Sequence, residues 1–214
     1  MMKKLFVLLL AALMLLSLAA CGEDAEKGEE VVIVEETSPA SLGGWTLTPG
    51  AELSEEALAA FGKAMDGLVG VSYEPLALVG TQLVSGTNYC ILCQAQVVVP
   101  NAVPYYALVY VYADLQGEAQ ILSIVNLDLG DIAETGQIKA AENPPQELFG
   151  GWMVDRESSV ELDGALLHLA SQVVKGVNHC VLCEGGRLVF VYENLKGETQ
   201  VTSEVALDPG ALIG

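Results

Sequence analysis

The side chains with the most reactive chemistry are four cysteines in two C-x-x-C pairs, Cys90/Cys93 and Cys180/Cys183, and two histidines, His168 and His179. C-x-x-C spacing serves three chemistries: a zinc site, a thiol–disulfide redox centre and a structural disulfide. Each pair sits in an apolar run that reads as a strand, where residues three apart point to opposite faces. Cys90 and Cys93 therefore do not converge on one ion without a knuckle turn. A redox pair wants a helix N-terminus, which this pattern does not offer. By the same parity Cys93 goes with Tyr89 and Ile91 toward a helix, and Cys90 with Leu92 to the other face. Four small buried apolar side chains are the expectation. A Cys90–Cys180 bridge between equivalent outward positions is the alternative. Neither histidine has a carboxylate beside it in any motif, and each is expected to be structural.

Other catalytic signatures are missing from the sequence. There is no H-E-x-x-H, G-x-S-x-G, phosphate-binding glycine loop or dinucleotide fingerprint. The expectation is a protein that is not an enzyme and that takes no cofactor and no metal. Acidic residues number 28 against 9 basic ones, a formal net charge of −19. Such a surface repels nucleic acid and anionic headgroups, so no nucleic-acid partner is expected.

The elements that carry the cysteines occur twice. Gln82 to Cys93 reads QLVSGTNYCILC, and Gln172 to Cys183 reads QVVKGVNHCVLC. Repetition fixes the unit of folding. Each copy reads as strand, tight turn, strand, with Gly86 or Gly176 free to take positive φ at the turn. Upstream, Ser54 is a good N-cap, with Glu55 and Glu56 in the first turn and Leu53 and Leu58 placed as a hydrophobic staple. Leu58, Phe61, Met65, Leu68 and Val69 then fall on one helical face, and Gly70 stops the helix. Strands are expected over Leu76 to Val84, Tyr89 to Val99, Tyr105 to Ala113 and Ala119 to Leu127. The fold class is α+β, a helix packed on a curved antiparallel sheet.

The pattern Q-x-V-x-G followed by x-N-Y resembles the signature hairpin of the cystatins, inhibitors of papain-type cysteine proteases. Gln82, Val84, Gly86, Asn88 and Tyr89 carry the likeness, as do Gln172, Val174, Gly176 and Asn178, with His179 departing. The resemblance implies two cystatin-like units and a wedge that enters a protease cleft by shape and apolar contact. Its implied contact residues are Gly43 and Gly44, then Gln82, Leu83, Val84, Ser85 and Gly86. At Leu115, Gln116 and Gly117 the family has a Pro-Trp turn. Losing that tryptophan removes an interface anchor of the kind worth about 2 kcal/mol or more, so only weak inhibition is expected.

Lys3-Lys4 and the apolar run Leu5 to Leu18 form a secretory signal, too short to span a membrane comfortably. Its ending, Leu18-Ala19-Ala20-Cys21-Gly22, resembles the lipobox of bacterial lipoproteins and implies a lipidated Cys21. The expected location is the outer face of a cell membrane, reached by secretion and held there by a lipid anchor. Without Lys3 and Lys4, the remaining seven basic residues leave a net charge near −21. The organisation read from the chain is a signal over 1–21, an acidic disordered tether over 22–41 and a first domain over 42–129. A linker over 130–149 and a second domain over 150–214 complete it. Trp152 to Gln172 spans 20 positions against 37 from Trp45 to Gln82, so the second unit is truncated and lacks its helix. A sheet face bearing Val181, Cys183, Leu188 and Phe190 then needs cover. The first domain is the expected cover, with a turn from Val160 to Leu167 or a second molecule as alternatives. Functionally this is a membrane-anchored protein-binding module, inhibiting papain-type proteases weakly or binding another envelope or secreted protein. The alternative is a non-inhibitory structural or assembly protein of the envelope.

Overall fold

Among the described residues, two antiparallel five-stranded sheets dominate, each with its strands in sequence order across the sheet. The computed structural model describes residues 43–138 and 151–213. In the first repeat, β1 (Trp45–Leu47) leads to helix α1 (Glu55–Met65). The strands β2 (Val71–Val84), β3 (Gly86–Val97), β4 (Tyr105–Ala113) and β5 (Ala119–Leu127) follow. A short helix α2 (Leu129–Thr135) closes the repeat. The second repeat runs β6 (Met153–Val154), β7 (Ala165–Val174), β8 (Gly176–Cys183), β9 (Arg187–Glu193) and β10 (Thr199–Ala206), then α3 (Pro209–Leu212). Residues 155–164 hold no helix, as the shortened spacing requires.

Ser54 caps α1 as its position predicts, its hydroxyl accepting from the Ala57 amide at 3.1 Å. The buried face keeps Phe61 and Met65 of the expected one and otherwise differs. Ala57, Ala60 and Phe61 point inward, whereas Leu58 is 42% exposed and the helix ends before Leu68 and Val69. Small alanines let the helix axis approach the sheet closely, and Phe61 with the partly buried Leu53 and Met65 fills the remaining gap. Strand β2 begins at Val71, five residues earlier than the pattern suggests. It passes Pro75 at a bulge between Pro75 and Ala77. The strand tolerates the proline there because β1 pairs only with Gly80 to Gln82, leaving Pro75 on an open edge.

Three cores result. The largest lies between the two sheets and includes Cys90, Leu92, Tyr106, Leu108 and Tyr110 from the first, with Leu169, Cys180, Leu182 and Phe190 from the second. Tyrosine hydroxyls tie the layers: Tyr106 donates to the Leu169 carbonyl at 2.7 Å and Tyr110 to the Pro209 carbonyl at 3.2 Å. The second core lies between α1 and the first sheet, around Phe61, Leu78, Tyr89, Ile91, Cys93 and Val109. The third is small, with Val181, Cys183, Val189 and Val191 under the partly buried Val160 and Leu162.

The expected grouping of Val181 and Cys183 with Leu188 and Phe190 is overturned. Leu182 pairs with Leu188 and Cys180 with Phe190, so those two belong to the inter-sheet face. Both candidate covers are in use: the first sheet covers one face and the segment holding Val160 and Leu162 the other.

Candidate functional site

The residues singled out for contact with a partner lie in three neighbouring segments at one end of the first sheet. The first is Gly43, whose amide donates to the Leu83 carbonyl at 3.3 Å. The second is the β2–β3 tip, Leu83 to Ser85, exposed throughout. The third is the β4–β5 turn, where Leu115 is 80% exposed and Gln116 and Gly117 are also exposed. Pairing of Thr87 with Ala113 sets the second and third side by side. Gly44 is half-buried beside the first.

The motif residues act as fasteners. Gln82 faces Asn88 across the hairpin, and the Asn88 amide donates to the Gln82 side-chain oxygen at 2.6 Å. The Gln82 amide in turn donates to the Gly43 carbonyl at 2.9 Å. One glutamine therefore joins the N-terminal segment to the hairpin. Gly86 is buried at φ +135°, and a Cβ there would lie 2.3 Å from the Ala113 carbonyl oxygen. Its role is close backbone approach, which no other residue permits without movement.

Three further fasteners carry no motif signal on their own. The Tyr112 hydroxyl donates to the Ser85 carbonyl at 2.7 Å, pinning the hairpin tip. The Asp114 carboxylate accepts the Gln116 and Glu118 amides, each at 2.9 Å, shaping the turn. Lys63 on α1 donates to the Gly117 carbonyl at 2.6 Å. The first two were findable by comparing repeats, since Tyr192 and Asn194 stand in the same places. Tyr192 donates to the Lys175 carbonyl at 2.7 Å, and the Asn194 side-chain oxygen accepts the Lys196 and Glu198 amides.

The second repeat carries the same end. Asn178 donates to Gln172, Gly176 has φ +135°, and a Cβ at Gly176 would lie 2.3 Å from the Glu193 carbonyl oxygen. Val173, Val174 and Leu195 are exposed at its tips.

All four cysteines among the described residues are free and buried. Parity holds: Cys90 and Cys180 lie between the sheets, and Cys93 packs in the core under α1. The Cys90–Cys180 bridge is not formed. Burial pushes the Cys90 thiol up to about 12 and the Cys93, Cys180 and Cys183 thiols up as well, which removes them from thiolate chemistry at neutral pH. Among the described residues no group of three or more His, Cys, Asp or Glu is arranged to hold a metal ion. The two tryptophans are packing residues, in edge-to-face contact at 5.6 Å between centroids: Trp45 with Tyr110, and Trp152 with Phe190. Cys21, with the signal over 1–21 and the tether over 22–41, lies outside the described residues. No protein-family model matches the chain, and neither a curated protein nor a solved structure matches it.

Proposed function

We propose that the chain is a protein-binding module whose contact surface is the hairpin end of the first repeat, lipid-anchored through Cys21 on the outer face of a bacterial membrane. The observation that carries this reading is the convergence of Gly43, the Leu83 to Ser85 tip and the Leu115 to Gly117 turn at one sheet end. Every backbone at that end is held by side chains from behind, which leaves Leu83, Val84 and Leu115 presented outward with little freedom left to lose on binding. Helix, meander and wedge together fit the cystatin-like reading, and the partner class that follows from it is a papain-type cysteine protease. Inhibition is weak because Leu115 stands where the family places its tryptophan; each 1.4 kcal/mol of missing contact is about tenfold in affinity.

The test is a titration of papain activity with the purified full-length chain, beside Val84→Glu and Leu115→Glu variants. Both positions are exposed, so the fold is undisturbed. Weak inhibition by the parent that both variants lose is the expected result. Gly86 is unsuited to the experiment, because any side chain there meets the Ala113 backbone. No inhibition at high micromolar protein, or equal inhibition by the variants, overturns the protease reading. The remaining reading is a non-inhibitory envelope protein, and the missing aromatic anchor at Leu115 is the observation that favours it.

A further inference from the structure

Between β3 and β4 the first repeat takes a far longer path than the second takes between β8 and β9. Cys93 pairs with Ala107 and Cys183 with Arg187, so thirteen residues, 94–106, stand where three, 184–186, suffice. The short turn shows that the hairpin closes without the extra length. What the extension adds is exposed aliphatic surface. Val69 is 87% and Val98 68% exposed, with Leu68, Val99 and Val103 exposed beside them. The Val98 amide donates to the Gly70 carbonyl at 2.9 Å, which joins the two segments. The Gln96 side-chain amide donates to the Ala102 carbonyl at 2.8 Å, and Pro100 and Pro104 each fix φ. The loop therefore has little freedom left to lose on contact.

The patch is also free of charge. In a chain of net charge −19, no Asp, Glu, Lys, Arg or His occurs in 67–73 or in 75–113. The flanking acids are Asp66 and Glu74, and Arg156 pairs with Glu74 at 2.9 Å. Charge and area select the occupant. A second copy brings its own −19 and is repelled. A stable dimer also buries about 800 Å² a side, roughly twice what five part-exposed Val and Leu side chains present. A bilayer sets no such area. Short aliphatic side chains enter the boundary between headgroups and acyl chains, where the backbone of the turn stays hydrated.

Position agrees. β2 runs from Val71 beside the patch to Val84 at the hairpin tip, fourteen residues or about 46 Å. The 22 steps from Cys21 to Gly43 reach up to about 75 Å. An anchor at Cys21 thus allows the patch to lie on the membrane with the Leu83 to Ser85 tip held away from it. We propose that residues 98–104, with Leu68 and Val69, are a membrane-resting surface that seats in an uncharged bilayer face and points the hairpin end outward. Its geometry rests on the lipid-anchored reading of Cys21, which holds so small a contact at the membrane.

The test supplies the anchor chemically. In the full-length chain, Cys21 is coupled to a maleimide phospholipid in phosphatidylcholine vesicles; Cys90, Cys93, Cys180 and Cys183 are buried and do not compete. Against the uncoupled chain without vesicles, amide exchange in 66–72 and 98–104 should slow about fivefold or more, with 83–85 and 115–117 unchanged. A Val98→Glu, Val99→Glu variant should lose that protection while exchange in β4 stays at the parent's rate, which shows the fold is kept. Unchanged exchange on the vesicles, or equal protection in the variant, overturns the surface. Protection that appears without vesicles and grows with protein concentration assigns the patch to a second copy and overturns it equally. Lipid-free Cys21 in the cell, with protection on the coupled vesicles, overturns the anchor and not the seating.

Discussion

The two repeats carry one hairpin and cover it in two ways. In the first, an eleven-residue helix lies across the outer face, with Ala57, Ala60 and Phe61 pressed onto Leu78, Tyr89 and Ile91. In the second, the same positions of the sheet meet a helix-free segment that contributes only Val160 and Leu162. The hairpin geometry does not register the difference: Gly86 and Gly176 share φ +135° and the same 2.3 Å approach. What changes is the residue class beneath the cover. Leu78 and Tyr89 give way to His168 and His179, which are buried to a similar degree and are hydrogen-bonded to each other, to the Asp155 carbonyl and to Glu193. Local turn chemistry and global cover are thus separable in this fold, and the inter-sheet core lets the weaker repeat persist.

The strongest way to break that comparison is to remove the shared core. Residues 150–214 expressed alone should aggregate or bind a hydrophobic dye, because Cys180, Leu182, Leu188 and Phe190 lose the sheet that buries them. A monomeric fragment with a cooperative melt would show that the thin cover suffices.

Next in size is a matched pair of truncations. Phe61→Ala removes a buried aromatic from under α1 and should cost about 3–5 kcal/mol. Leu162→Ala, at a half-buried position within the helix-free segment, should cost about 1 kcal/mol, below the 2–5 kcal/mol of a fully buried leucine. Denaturant midpoints at constant slope measure both, and equal losses would make the two covers equivalent.

The smallest effect sits at Asp155. Its folded-state value of about 2 lies below the ordinary 3.8. The carboxylate therefore adds stability above pH 3.8 that disappears as pH falls toward 2. Asp155→Asn should lower stability at pH 6 and converge with the parent near pH 2, by acid titration of the melting temperature. A constant offset across that window would assign the loss to geometry alone.

Much of this was legible because local rules carried it. The repeat, the hairpin glycines, the Ser54 cap and the opposite facing of Cys90 and Cys93 depend on neighbours in sequence. The grouping of Leu188 and Phe190 failed on the length of one turn. Counting Val181 and Cys183 with Leu188 and Phe190 holds across a turn with an even number of residues. Glu184 to Gly186 is a three-residue turn, with φ +72° and +67° at its two glycines, and it shifts the parity by one. On the helix face Phe61 and Met65 pack as bulk suggests, but Leu58 does not, because close packing puts Ala57 and Ala60 against the sheet. Helix α2 opens the stretch read as a linker. Its signal was present, since Asp128 precedes Leu129, Ile132 and Ala133 at helical spacing, and Asp208 repeats the cap. The His168–His179–Glu193 array was hidden because its members sit on three strands and meet only through register.

The placement of α2 and α3 has a consequence in time. Gly210 of α3 lies against the Trp45 ring, and α2 lines a shallow cavity with Trp152, so each repeat is finished by the other's final turn of helix. The Tyr110–Pro209 link joins residues 99 positions apart. A chain that emerges N-terminus first exposes Trp45 and Tyr110 long before α3 exists to close over them. Closure is therefore a late event set by loop-closure entropy, and the first repeat waits, unfinished, for its own copy.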